Sequence, residues 1–226
     1  MQVDEAIASR RSVRGFLPTP VAKETVAAIL EVASRAPSGT NMQPWKVYVC
    51  AGQAKEALAE EVAGLYLAGA AAHRDETKMY PAQADFPDEY RARRRKVGWD
   101  LYSLLGVAKG DREGSRRHHV KNYLFFGAPV GLFFFIDRVL EIGSWLDYGM
   151  FIENVMLSAR GHGLDTCPQA AWQRFHAPVR RHLGVPEDRV LVCGMSLGHA
   201  DPAAPANALQ TEREPVEAFA RFYGFE

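Results

Sequence analysis

The chain has 226 residues, 47% of them hydrophobic, enough for one large domain or two small ones around a substantial core. Lys plus Arg and Asp plus Glu each total 27, so no global field draws it to nucleic acid or to an anionic membrane. The opening MQVDEAIAS has no apolar signal-peptide core and no apolar run approaches membrane-spanning length, so the expected setting is the cytoplasm.

In chain order, the first notable stretch is SRRSVRGF, Ser9 to Phe16, with three arginines in eight residues. Arg10 and Arg14 stand one helical turn apart if the segment is helical, and Ser12 adds a hydroxyl donor. Two readings stay open: a basic helix end favoured by the dipole, or a fork of guanidinium groups set for phosphate oxygens. After Thr19-Pro20, a cap and a first-turn proline, Ala22, Val26, Ile29, Ala33 and Ala36 recur at helical spacing, and Pro37 ends the run. A loop from Ser38 to Pro44 leads to an alternating strand, Trp45 to Cys50, and then to a helix over Gln53 to Leu67.

Residues 69–121 are charged and aromatic, and read as a mobile helical excursion over one face. The core resumes at APVGLFFFID, a strand buried on both faces. Ser144 with Asp147 resembles a capping box that opens a helix bearing Trp145, Tyr148, Ile152, Val155 and Ala159. LDTCPQAA is a loop or short strand, Gln173 to Leu183 is helical, and RVLVCGMSL is a buried strand. The tail carries Phe219, Phe222, Tyr223 and Phe225, a liability in water unless it packs on a second subunit. Helices outnumber strands without strict alternation, which favours α+β over a doubly wound sheet. The expected organisation is a single domain over residues 1–226 with a helical lid at about 70–122.

Neither G-x-G-x-x-G after a strand nor a P-loop is present, so a bound phosphate would be held by side-chain cations. The cysteines Cys50, Cys167 and Cys193 lack metal-ligand spacing, and adjacent His118 and His119 diverge on a helix, so no metal site is expected.

Four segments in one order carry a resemblance: RRSVRGF at 10–16, APSGTNMQPWKVYV at 36–49, GLDTCPQAA at 163–171 and GMSLGHADPAAPANALQTER at 194–213. Together they resemble the FMN-dependent nitroreductase superfamily, and within it the bacterial nitrobenzoate and dinitrobenzamide reductases. The resemblance implies a nitroreductase-like α+β fold with a central mixed β-sheet flanked by helices. It also implies an intertwined homodimer with C-terminal arm exchange and FMN at the subunit interface.

Carried over residue by residue, it implies that Arg10, Arg11, Ser12 and Arg213 hold the FMN phosphate and ribityl chain. Arg14 would reach the pyrimidine edge. Pro37, Ser38, Gly39, Asn41 and Gln43 would lie against the flavin, some of them across the interface. Pro168, Gln169 and Ala170 would line the ring with a backbone N–H toward N5, and Gly198 would be a close backbone approach. Lys121, Tyr90 and Phe125 are candidates for contacting a small aromatic substrate. Lys121 falls at a place similar to a substrate-contacting lysine of the family's dehalogenase branch. Phe86 occupies the offset where that branch has a glutamate, which counts against a halotyrosine substrate.

The implied activity is ping-pong reduction of nitroaromatics with NADH or NADPH as donor, and no side-chain catalyst is required. Quinone, enone or halogenated aromatic reduction on the same fold, and a flavin-binding dimer without turnover, are the alternatives.

Overall fold

The computed structural model describes residues 1–69 and 73–225. Residues 70–72 of the expected excursion lie outside the described residues, as does residue 226. Its α-helices are α1 (Val3–Ser9), α2 (Lys23–Ala33), α3 (Gly52–Gly69), α4 (Asp88–Leu104), α5 (Arg112–His119), α6 (Ile142–Gly161), α7 (His176–Leu183) and α8 (Val216–Phe219). The strands β1 (Lys46–Ala51), β2 (Val130–Asp137), β3 (Asp165–Gln169) and β4 (Arg189–Gly198) form one sheet in the order β1-β2-β4-β3.

Among the described residues every strand pair is antiparallel, which corrects the expected mixed sheet for the single chain. Its parallel component reduces to a single bridge between Ser12 and Thr166.

Strand β2 sits second in the sheet and is buried on both sides, and its alternation divides the core in two. Phe133 and Phe135 join Leu58 and Val62 of α3, Val179 of α7 and Trp172 on one face. Leu132, Phe134 and Ile136 join Ile29 of α2 and Tyr148, Phe151 and Val155 of α6 on the other. Tyr148 pins the start of β1: its hydroxyl donates to the Lys46 carbonyl at 3.1 Å and accepts the Lys46 N–H at 3.2 Å. Trp45 stacks on Phe151 with ring centroids 4.8 Å apart.

Three local expectations change. Helix α1 ends at Ser9, and the basic segment after it runs extended, with bridges at Ser12 and Phe16. The arginines therefore converge from an extended strand and not from one helical turn. Helix α2 starts at Lys23 with Ala22 as its cap, so Thr19-Pro20 belongs to the preceding extended segment. Helix α6 starts at Ile142 with Glu141 as cap, and Asp147, expected in a capping box, lies in its second turn and serves a distant loop.

Helices α4 and α5 lie in the excursion. Its first stretch is stapled to the body by Glu76. That buried carboxylate accepts from Arg138 at 2.6 Å, from Arg180 at 2.8 Å and from the Leu191 N–H at 3.1 Å. No helix among the described residues is long and apolar enough to cross a membrane.

Candidate functional site

A cavity of about 830 Å³ opens where the two ends of the chain meet. Arg10, Arg11, Ser12 and Arg14 line it from the extended N-terminal segment, and Thr211 and Arg213 from the tail. The segment is held in place by backbone: the Val13 N–H donates to the Thr166 carbonyl at 3.0 Å, and Val13 itself is fully buried. Val13 is buried, while the arginines on either side of it are exposed or half-buried and line the cavity.

Asn207 joins the two ends. Its Oδ1 accepts the Arg14 N–H at 2.7 Å, while its Nδ2 donates to the Gly15 carbonyl at 2.8 Å and the Asp201 carbonyl at 2.9 Å. A Cβ on Gly15 would collide with the Ala204 side chain, so this crossing needs glycine.

The charge in the cavity is unbalanced. Arg10 pairs with Glu153 at 3.4 Å and Arg160 with the buried Asp165 at 2.7 Å. Arg11, Arg14 and Arg213 have no carboxylate partner among the described residues. Arg213 instead donates to the Thr211 hydroxyl at 2.8 Å, and Arg14 to the Ser12 carbonyl at 3.2 Å. Three guanidinium groups without a counter-ion in one concave site are receptive to a phosphate.

Arg160, Asp165 and Asn207 belong to this framework and were not singled out in the sequence. Asp165 and Asn207 lay within the quoted motifs, and Arg160 ends α6 with no local signal.

Strand β3 leads from Asp165 in the cavity wall to Pro168 and Gln169. The Gln169 side chain is buried and spoken for: it accepts from the Ser196 hydroxyl at 2.8 Å and donates to the Asn122 carbonyl at 2.6 Å. Only its backbone remains for a ligand, and Ala170 beside it is exposed. The close approach expected at Gly198 is made by protein, because a Cβ there would stand 2.6 Å from Pro129 Cδ.

Pro37, Ser38, Gly39, Asn41 and Gln43 are not brought to this cavity within one chain. Their loop is tied to α6 at Asp147, whereas the cavity meets α6 at Arg160. Thirteen residues of helix separate those points, roughly 20 Å at 1.5 Å per residue.

Among the substrate candidates, Phe125 is a core residue and its expected role falls. It is fully buried against Trp172, with ring centroids 4.8 Å apart, and sits under Gly131, where a Cβ would collide with its ring. Tyr90 is exposed on α4 with the Arg93 guanidinium 5.5 Å from its ring centroid. Lys121 is exposed and lines a second cavity together with Arg14 and His118.

The cysteines are all free and buried; burial pushes Cys50 and Cys193 up to about 12 and Cys167 to about 11, so none is a nucleophile at neutral pH. Among the described residues no group of three or more His, Cys, Asp and Glu is disposed to hold a metal.

Fold and cavity define a class: an α+β protein with an anion-receptive site closed by both ends of its chain. The family model described as "Nitroreductase family" matches residues 7–199, and the chain belongs to that family. It is 42% identical over 227 residues to the 4-nitrobenzoate reductase of Pseudomonas putida, covering 99% of this chain and 96% of that one. It is 39% identical over 220 residues to the chloronitrobenzene nitroreductase of Comamonas testosteroni, covering 97% and 96%. The FMN and NADPH-dependent nitroreductase NfnB of Sphigopyxis sp. strain HMH superposes with a TM-score of 0.95 at 39% identity, covering all of both chains.

Proposed function

We propose that this protein is an NAD(P)H-dependent flavoprotein that binds FMN and reduces nitroaromatic compounds. The observation that carries the reading is the cradle of arginines from both chain ends, three of them without a carboxylate partner among the described residues, on a fold shared with an FMN- and NADPH-dependent nitroreductase. The relatives that reduce nitrobenzoate and chloronitrobenzene supply the substrate class.

The cavity fits the cofactor: its volume admits a mononucleotide, and its cationic wall matches a phosphate dianion. Arg10, Arg11, Ser12 and Arg213 would hold the phosphate and ribityl chain, and Arg14 the pyrimidine edge. The backbone of Pro168, Gln169 and Ala170 would line the ring. Bound FMN supplies the atom that accepts hydride from the nicotinamide and returns it to the nitro compound.

The protein's own contribution is electrostatic and positional. Arg14 would stabilise negative charge at the pyrimidine edge of bound FMN, and so would raise its two-electron potential. The hydrogen bonds of Gln169 to Asn122 and Ser196 fix the β3 backbone against which the ring would rest. Reduction of nitro to nitroso consumes one NAD(P)H and one proton and releases water. The proton comes from solvent, and no buried acid is required of the chain.

The assembly we propose is a homodimer in the cytoplasm. The loop at Pro37–Gln43 stands at the far end of α6 from the arginine cradle, so it reaches a flavin only on a second copy. Phe219, Phe222, Tyr223 and Phe225 are 66–84% exposed in the single chain and need cover. The three unbridged thiols accord with a reducing compartment.

The test is anaerobic. Protein loaded with FMN is reduced with NADPH or NADH and then mixed with 4-nitrobenzoate, a quinone or dioxygen. Faster reoxidation by the nitro compound is expected; a flavin that no nicotinamide bleaches, or a quinone that wins outright, overturns the reading. Sedimentation at micromolar protein is expected to give twice the chain mass.

A further inference from the structure

A second cavity of about 410 Å³ adjoins the first through Arg14, which lines both. Its polar walls are Arg14, His118, Lys121 and Asp201, and its apolar walls include Leu124 and Phe126. The cations outnumber the carboxylate. Asp201 is already engaged, its Oδ1 accepting the Ala203 N–H at 2.9 Å. Among the described residues neither a hydrogen bond nor an ion pair engages the Lys121 amine.

His118 is the unusual member. It is only 7% exposed although it sits in the charged excursion, and its buried Nδ1 has no hydrogen-bond partner among the described residues. Around its ring stand the Tyr102 ring at 5.9 Å and the Phe126 ring at 6.2 Å, with Lys121, Arg14 and His119 as the charged or titratable neighbours. Burial first, then the Lys121 and Arg14 charges, push the imidazole down to about 4, so it is neutral at physiological pH. A sealed Nδ1 with no acceptor favours the tautomer with its proton on Nε2, which makes the neutral ring a hydrogen-bond donor. A half-apolar cavity with one neutral donor and two cations suits a flat ring carrying a single negative charge.

We propose that this second cavity is a carboxylate subsite, in which His118 and Lys121, beside Arg14, receive the carboxylate of an aromatic monocarboxylic acid. The proposal rests on the nitroaromatic reading for its place in the reaction, because a ring anchored here lies next to the arginine cradle. Its recognition chemistry stands apart from the redox step. Arg116 and Arg117, just before His118 on α5, take no part: Arg117 faces Glu113 at 3.8 Å, and Arg116 is spent on the Leu67 carbonyl.

The experiment measures binding before turnover. Calorimetry on the FMN-loaded protein compares benzoate with benzamide, its neutral isostere. Wild type is expected to prefer benzoate roughly tenfold or more, the scale of a hydrogen bond to a charged group. His118→Phe and Lys121→Met are each expected to collapse that preference, and His118→Gln, which restores a donor, to return part of it. Lys121 is exposed, so its variant tests the proposal even where His118→Phe folds poorly.

Equal affinity of the wild type for both ligands overturns the subsite, as does a preference that survives both substitutions. In turnover, the ratio of kcat/KM for 4-nitrobenzoate to that for 4-nitrobenzamide is expected to fall with the binding preference. If neither nitro compound is reduced while the benzoate preference stands, the subsite survives and the assigned reaction fails.

Discussion

Asp147 and Gly39 are 108 residues apart and meet in a hydrogen bond, with the Asp147 Oδ2 accepting the Gly39 N–H at 3.0 Å. The loop it tethers is otherwise bonded mainly to itself. The Gln43 N–H donates to the Ser38 hydroxyl, the Gln43 side chain to the Asn41 carbonyl, and the Asn41 N–H to the Ser38 carbonyl. Thr40, Asn41 and Gln43 all have positive φ, near 49°, 58° and 50°. Such backbone costs about 1–3 kcal/mol per residue and persists only when its surroundings enforce it.

Asp147→Leu is therefore expected to loosen the loop and weaken FMN retention roughly tenfold, the scale of one charge-assisted bond. Asp147→Asn keeps an accepting oxygen and is expected to hold most of the affinity. Flavin titration of the two variants decides between a tether and a filler. Equal losses in both would remove the tether.

Arg213 has no carboxylate partner among the described residues and lines the same cavity as Arg10 and Arg11. Arg213→Ala should raise the FMN dissociation constant by roughly tenfold or more and flatten its salt dependence. Riboflavin, which has no phosphate, serves as the control. Equal losses for riboflavin and FMN would mean that the arginine acts on the fold and not on the phosphate.

Two glycines of the sheet are spaces for aromatic rings. A Cβ on Gly194 would collide with Trp172, and one on Gly131 with Phe125. Neither residue has positive φ, so the constraint is volume and not conformation. Gly194→Ala is expected to destabilise by about 1–3 kcal/mol, the usual cost of overpacking. Urea denaturation should show a lowered midpoint at unchanged slope.

The two histidines of α5 give stability a pH dependence with a definite sign. His118 is pushed from 6.5 to about 4 by burial and the neighbouring Lys121 and Arg14 charges, and His119 is lowered by burial and by Arg174. Between those values the unfolded chain binds a proton that the folded chain does not. Stability should therefore fall as pH drops from about 6.5 toward 4, and His118 should add no further loss below that. For His118 the loss between about pH 7 and pH 5 is on the order of 2 kcal/mol. Denaturant melts of wild type and His118→Gln at both pH values should differ by that amount. An identical pH slope in the two would show that His118 is solvated.

Much of the fold could be read from the sequence because burial leaves a continuous mark. APVGLFFFID has no polar residue until its end, and the strand buried on both faces is where that run predicts it. The α2 and α6 patterns likewise mark the residues that face the sheet. What the sequence hid was long-range geometry. Arg10 and Arg14 have a spacing compatible with a helix, but the Val13 side chain goes to the core and the backbone pairs with Thr166, so tertiary pairing overrides the local pattern.

Phe125 looked like a ring free to stack because it follows a charged segment. The glycine that makes room for it lies six residues on, across a turn with positive φ at Phe125 and Phe126. Asp147 carried a capping signature, yet the carboxylate is claimed by a loop from another part of the chain. The arginine motif and the tail motif were legible as separate pieces. Asn207, which ties them together, lies inside the tail motif, but nothing in one dimension marks its bonds to Arg14 and Gly15.

The tie between Arg14 and Asn207 also sets an order of events during synthesis on the ribosome. The first half of the cationic site leaves the exit tunnel early, and Thr211 and Arg213, which complete it, follow only after the whole sheet has been translated. A nascent polypeptide can build its sheet, whose last strand ends at Gly198, before that point, but it has no finished seat for a phosphate until Thr211 and Arg213 have emerged. A ribosome stalled shortly before Arg213 should therefore display a folded body that ignores the ligand.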